Sequence, residues 1–245
     1  MTPSGALLLS GKSSGVCARS SPLAIQGYAS ARGNEISTLK KEFGILGESS
    51  AYGRETAKRY QAKRRDYWDF TARKIAAWTS RGGYYHGRLF KACRFLVSPG
   101  LRILEIRCSK GDLLADLDPS RGVVVDFSEE MLLRAQDRHP ELSFIACDAH
   151  ELDQDENFDV IILSDVVYDL WDGQVVLGKI MQFVNPETRV LINSFSRVWE
   201  RPLKATQKLR LSTPLLPQNW LTADDTANMR SLTGHEVICY WLEVI

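Results

Sequence analysis

The chain has 245 residues, 44% of them hydrophobic and 25% charged, the make-up of a soluble globular protein with one substantial domain plus appendages. No apolar run approaches the roughly 18 residues that a membrane-crossing helix needs. The five cysteines (Cys17, Cys93, Cys108, Cys147 and Cys239) are odd in number and form no CxxC pair, which argues against a disulfide framework or a cysteine zinc site and predicts a reducing, cytoplasmic setting. The formal charge of +1 hides an asymmetry: residues 1–100 carry 17 Lys and Arg against 6 acids, and residues 101–245 carry 14 against 24. The basic residues fall at helical spacing rather than in a block. They therefore read as a solvated helix face complementing an acidic neighbour, in preference to a nucleic-acid surface.

Residues 1–34 hold seven Ser, five Gly, three basic residues and no acid. That composition buries little apolar surface, and disorder is the expectation for residues 1–49. The same Ser-rich, acid-free character is that of an organelle transit peptide, which stands beside a simple N-terminal extension as a second reading. From Ser50 to Trp78, Tyr60, Tyr67, Phe70, Ile75 and Trp78 recur at three- and four-residue steps between Arg and Lys positions, predicting a basic helix that Gly82-Gly83 ends. Tyr84-Tyr85-His86 leads into a second helical stretch through Leu89, Phe90 and Phe95. Residues 50–98 thus read as a helical lid or extension, closed by the turn Ser98-Pro99-Gly100.

Beyond that turn, short apolar strands alternate with helices. Strands are predicted at 102–106, 122–126, 142–147, 158–163, 189–193 and 235–242. Helices are predicted at 112–117, from Ser128 as N-cap to Arg138, through Val175, Leu177, Ile180 and Phe183, and at 222–232. The pattern predicts an α/β fold, Rossmann-like, with a mostly parallel sheet covered by helices on both faces and preceded by N-terminal helices.

Such sheets bind ligands at the carboxyl ends of their strands. Here the first three strands of the α/β region end in, or just before, Glu105, Asp126 and Asp148. An acid after the second of them suits a ribose, because a carboxylate can accept hydrogen bonds from two adjacent hydroxyls. Asp148 would then meet the exocyclic amine of an adenine, and Phe127 would lie against the base. Asp165, Tyr168, Asp169, Trp171 and Asp172 gather after the fourth strand. The four histidines, at 86, 139, 150 and 235, lack metal-ligand spacing, so no metal is predicted.

The run Ile103-Leu-Glu-Ile-Arg-Cys-Ser-Lys-Gly-Asp-Leu-Leu-Ala115 resembles the first motif of class I S-adenosylmethionine-dependent methyltransferases of the small-molecule type. Val124-Val-Asp-Phe-Ser-Glu-Glu-Met131 is similar to their second, and Ile145-Ala-Cys-Asp-Ala149 and Phe158-Asp-Val-Ile-Ile-Leu-Ser-Asp165 to their third and fourth. The resemblance implies that S-adenosylmethionine is the cofactor. It implies that Glu105 and Gly111 frame the methionine part, with Arg107 and Cys108 between them, and that Asp126, Phe127 and Met131 lie at the ribose side. It places Asp148 and Ala149 at the adenine, and Ser164 and Asp165 at the reaction centre, where a small-molecule acceptor is expected. His86, Asp165 and Asp169 are the candidate catalytic residues, His86 because its ordinary pKa lies near neutral.

Two departures from the family pattern stand out. Where glycines are usual at 107 and 109, this chain has Arg107 and Ser109. Glycine serves there because the backbone approaches the ligand and adopts positive φ, which costs a residue with a Cβ about 1 kcal/mol or more. Arg107 is expected either to weaken the cofactor site or to point out of it and pair with the cofactor carboxylate. The family sheet also closes with a strand antiparallel between the fifth and sixth, and none is evident at the C-terminus, so the last strands are expected to have unpaired edges. The alternative to an active enzyme is a catalytically impaired binding protein on the same fold. A nicotinamide dehydrogenase lacks its G-x-G-x-x-G at 107–112. A nucleic-acid methyltransferase lacks an Asn-Pro-Pro-Tyr type motif at 164–167, where Ser-Asp-Val-Val stands.

Overall fold

The computed structural model describes residues 3–10, 51–75, 83–107, 110–195 and 236–244, with a few isolated positions between the last two segments. In chain order the elements are β1 (Pro3–Ser10), α1 (Ala51–Ile75), α2 (Gly83–Leu96), β2 (Arg102–Ile106), α3 (Asp112–Asp116), β3 (Arg121–Asp126), α4 (Glu129–Arg138), β4 (Ser143–Ala146), β5 (Val160–Ser164), a 3-10 turn (Val167–Asp169), α5 (Gly173–Ile180), β6 (Arg189–Phe195) and β7 (Glu236–Val244). Gly83 opens α2 rather than closing the helix before it. Cys108 and Ser109, and the helix expected at 222–232 apart from single positions, lie outside the described residues.

One sheet runs through the molecule in the order β4-β3-β2-β5-β6-β1-β7. The first five are mutually parallel, and helices connect β2 to β3, β3 to β4 and β5 to β6, as expected of crossovers between parallel strands. Their centres are apolar on both faces, because a parallel strand is covered from both sides. Side chains alternate accordingly. Leu104, Ile106, Val123, Val125, Ile161, Leu163, Val190 and Ile192 pack into one core with Phe158, Phe183, Leu177 and Ile180. Ile103, Val124, Val160, Ile162 and Leu191 pack into the other, against Leu89, Cys93 and Val97 of the α2 region and Leu113 and Leu114 of α3. By the same period of two, Glu105, Asp126, Ser164 and Asn193 belong to the α2 face. The polar groups at the strand ends therefore share one side of the sheet.

Two caps set the helix entrances. The Ser128 hydroxyl accepts from Met131 N at 3.3 Å and itself donates to Asp69 of α1 at 2.5 Å. The Asp172 carboxylate accepts from Gln174 N and Val175 N at the start of α5.

The sheet does not lack its antiparallel strand. The place between β6 and β7 is held by β1, antiparallel to both, paired from Ser4↔Phe195 to Ser10↔Arg189 on one side and from Pro3↔Val244 to Ser10↔Glu236 on the other, where the register shifts between Leu8 and Leu9. The expectations of disorder at residues 3–10 and of unpaired final strands are both corrected by this one strand. Composition averaged over 34 residues concealed a four-residue apolar run that has two sheet edges to bind.

Candidate functional site

The carboxyl ends of β2, β3 and β5 lie side by side, so Glu105, Asp126 and the Ser164-Asp165 pair are neighbours by construction. Glu105 is 1% exposed. The backbone N–H of Leu114 hydrogen-bonds its carboxylate, burial with Asp126 and Asp112 nearby pushes its pKa well up, and its Oε2 has no hydrogen-bond partner. A buried, unsatisfied acceptor of this kind is costly unless a ligand donor meets it. Gly111, at φ 73, begins α3, and a Cβ there would stand 3.3 Å from His139 Cδ2. Glycine is required at this turn.

Asp126 is 5% exposed and accepts from Ser128 N at 2.9 Å. It lines a cleft with Phe127, Cys147, Asp148, Ala149 and His150 on the sheet side, and with Tyr60, Arg64, Arg107, Asp169 and Trp171 around it. Met131 is buried in α4 and serves the Ser128 cap through its N–H, away from the cleft lining. The Asp148 carboxylate is held by His150, through its backbone N–H at 2.9 Å and ring Nδ1 at 2.5 Å. Asp172 N donates to His150 Nε2 at 3.1 Å, which leaves Nδ1 as the ring's donor to Asp148. Burial raises the Asp148 pKa, but the two His150 bonds outweigh it and leave the carboxylate below its ordinary value.

Arg107 follows β2 with φ 69, and its N donates to Val125 O at 2.7 Å. Its guanidinium lies 4.2 Å from the Trp68 ring centroid, donates to Asp165 O at 2.8 Å and pairs with Asp169 Oδ2 at 3.0 Å. The same Asp169 carboxylate binds Arg64 and accepts from Trp68 Nε1 at 2.9 Å. Both oxygens of Asp169, a candidate catalytic residue, tie α1 and Arg107 to the turn after β5. Residues 60, 64 and 68 recur every four positions and so share one face of α1. Sequence reading noted Tyr60 in the helical pattern but missed the alternation of aromatic and basic groups along that face.

At the ends of β5 and β6 a second polar cluster forms. Tyr85 OH donates to Asp165 at 2.7 Å, and Asn193 Nδ2 donates to Asp165 Oδ1 at 3.0 Å and to Tyr85 OH at 2.9 Å. Burial pushes the Asp165 carboxyl up to about 6, against the lowering effects of Tyr85, Arg107 and Asn193. Asp165 also has left-handed backbone, φ 52. His86 is exposed and rests edge-on against Tyr85 and Phe90. Tyr85, its neighbour, is the one that reaches Asp165. The signal for Asn193 was its place one strand over from Ser164, a register that sequence alone does not supply.

A family model described as "Methyltransferase domain" matches residues 97–235. The ubiquinone/menaquinone biosynthesis C-methyltransferase UbiE of Burkholderia multivorans is 29% identical over 152 residues, covering 58% of this chain and 61% of that protein. The match therefore spans about three fifths of the relative's length. Among solved structures, the methyltransferase bound to the Trm112 activator of Haloferax volcanii superposes with TM-score 0.52 at 17% identity, over 71% of this chain and 75% of that one. An S-adenosylmethionine-dependent methyltransferase of Thermotoga maritima gives 0.52 at 16% identity, over 64% and 75%.

Proposed function

Because the chain belongs to the methyltransferase-domain family, whose members take the methyl group from S-adenosylmethionine, we propose that it methylates a small-molecule acceptor at the cleft between α1 and the ends of β2, β3 and β5. The observation that carries this reading is Glu105, a buried carboxylate at the end of β2 whose Oε2 lacks a donor. A cofactor ammonium supplies such a donor, and its charge favours the ionised carboxylate that burial otherwise opposes. The donor set therefore fits the cofactor. Asp126 takes the ribose hydroxyls, Phe127 lies along the base, Asp148 and Ala149 border the adenine, and the Gly111 turn lets the chain pass close to the methionine part.

When bound, the cofactor supplies a sulfonium methyl that is transferred by in-line displacement, so the protein's task is mainly alignment. Ser164 and Asp165 face the acceptor. Asp165, with a pKa of about 6, holds a proton acceptor at neutral pH, and Tyr85 and Asn193 fix its orientation. The helices α1 and α2 form the lid. No described helix is long and apolar enough to cross a membrane; the odd, scattered cysteines support a cytoplasmic placement.

The test is transfer of label from S-adenosylmethionine carrying a tritiated methyl group, with the full chain incubated in a cell extract that is then fractionated. Label should enter the small-molecule fraction. The Glu105→Gln variant should cut incorporation by about 10- to 100-fold, the value of a buried hydrogen bond to a charged partner. Label confined to protein or RNA would overturn the acceptor class.

A further inference from the structure

We propose that Arg107 is a tethered cation that plugs the cofactor cleft and is latched there by α1, so that S-adenosylmethionine enters only when the Arg107 side chain leaves Asp169 and Trp68. The inference rests on the cofactor reading above and adds a gate to it.

The backbone at 107 is fixed by its hydrogen bond to Val125 O and by positive φ, so the direction of the side chain is set by the strand end, not by surface freedom. The guanidinium is held on three sides: the Asp169 carboxylate, the Asp165 carbonyl oxygen and the face of Trp68. Its side chain is 12% exposed. With it in place the partly open cleft leaves about 20 Å³ in which the centre of a water molecule can lie, room for roughly one water molecule. Pockets for ligands of cofactor size measure roughly 300–1,000 Å³. The cleft thus has the right acids around it and too little space within it.

Release of the plug leaves no bare buried charge. Asp169 keeps Arg64 and the Trp68 indole N–H, so removal of Arg107 does not strand the carboxylate, which would be strongly unfavourable. The incoming cofactor is itself cationic, at its ammonium and its sulfonium, and a carboxylate, a carbonyl oxygen and an indole face are groups that stabilise cations. Arg107 therefore competes by like charge as well as by volume. Pairing of Arg107 with the cofactor carboxylate would need the same side chain to leave its three partners first, so the plug precedes any such contact.

The experiment is calorimetric titration of the full chain with S-adenosylhomocysteine, comparing wild type with Arg107→Gly and Trp68→Leu, each checked for a cooperative melt. Arg107→Gly removes the plug and suits the positive φ; it should bind at least about 10-fold tighter than wild type. Trp68→Leu keeps Arg107 but removes the ring beneath it, should bind about 3-fold tighter, and carries the test if the glycine variant does not fold. Affinity in the folded variants equal to or weaker than wild type would overturn the plug while leaving the cofactor site standing. Absence of binding in all three would overturn the cofactor assignment itself, and the plug with it.

Discussion

Arg107 and Asp165 both carry left-handed backbone, at φ 69 and 52, and they touch each other through Arg107 Nη1 and the Asp165 carbonyl oxygen. Each costs about 1 kcal/mol or more relative to glycine in the same conformation. Strained side-chain-bearing residues at adjacent strand ends mark the place where the fold gives up local stability for geometry. Asp165 makes this measurable. Its folded-state pKa of about 6 lies above the ordinary carboxyl value of about 3.9 in an unfolded chain. Between those pH values the folded state therefore binds more protons, and by linkage stability falls as pH rises through the window. Wild type should gain unfolding free energy between pH 6 and pH 4 from this group, and Asp165→Asn should lose that increment in urea titrations at the two pH values. An unchanged pH slope in Asp165→Asn would refute the assignment. Tyr85→Phe removes a bond that lowers the pKa and should shift the window upward. The acids Glu105, Asp126 and Asp148 were legible in the sequence because strand ends and spacing define them. The Arg107 contacts were not, because they depend on a helix some 40 residues upstream.

At the level of elements, α1 is joined to the turn after β5 by one buried carboxylate, Asp169, which is shared between Arg64 and Arg107. Arg64 is 4% exposed and Asp169 5%. Loss of one partner from a buried pair costs about 3–5 kcal/mol when the other charge is stranded. Here the second arginine limits the damage, so Arg64→Met and Arg107→Gly should each destabilise by less, about 1–3 kcal/mol. The double variant leaves the carboxylate without either cation and should cost more than the sum of the singles, a coupling readable in a double-mutant cycle from urea unfolding. Strict additivity would show that the two arginines do not share the charge. The existence of α1 was legible from its three- and four-residue period. Its buried face was not, since Phe70, part of that apolar period, is 50% exposed while Arg64 is buried. A basic helix that turns an arginine inward breaks the rule that apolar residues mark the core side, and the Asp169 carboxylate together with the Tyr60 ring accounts for it.

At the level of the whole molecule the sheet joins segments from opposite ends of the chain. The parallel strands β2 to β6 follow from alternating apolar runs and helices, and their places along the chain agree with the sequence reading. The closure by β1 does not follow, because strand pairing over more than 180 residues leaves no local pattern, and Ser and Gly around Ala6-Leu7-Leu8-Leu9 lower the apparent strand signal. The consequence is that β6, which carries Asn193 of the Tyr85–Asp165 cluster, has its outer edge satisfied by residues 4–10. Removal of residues 1–10 would leave facing edges of β6 and β7 without their shared partner, and unpaired edges both lose stability and invite association. A chain lacking these residues should melt roughly 5–10 °C lower, as expected for a loss of a few kcal/mol in a domain of this size. Hydrogen exchange should quicken in β6 at Val190–Phe195 and in β7, while β2 and β3 keep their protection. Equal exchange in β6 with and without the N-terminal strand would show that β1 does not close the sheet in solution, and would separate the stability of the cofactor half of the molecule from that of its edge.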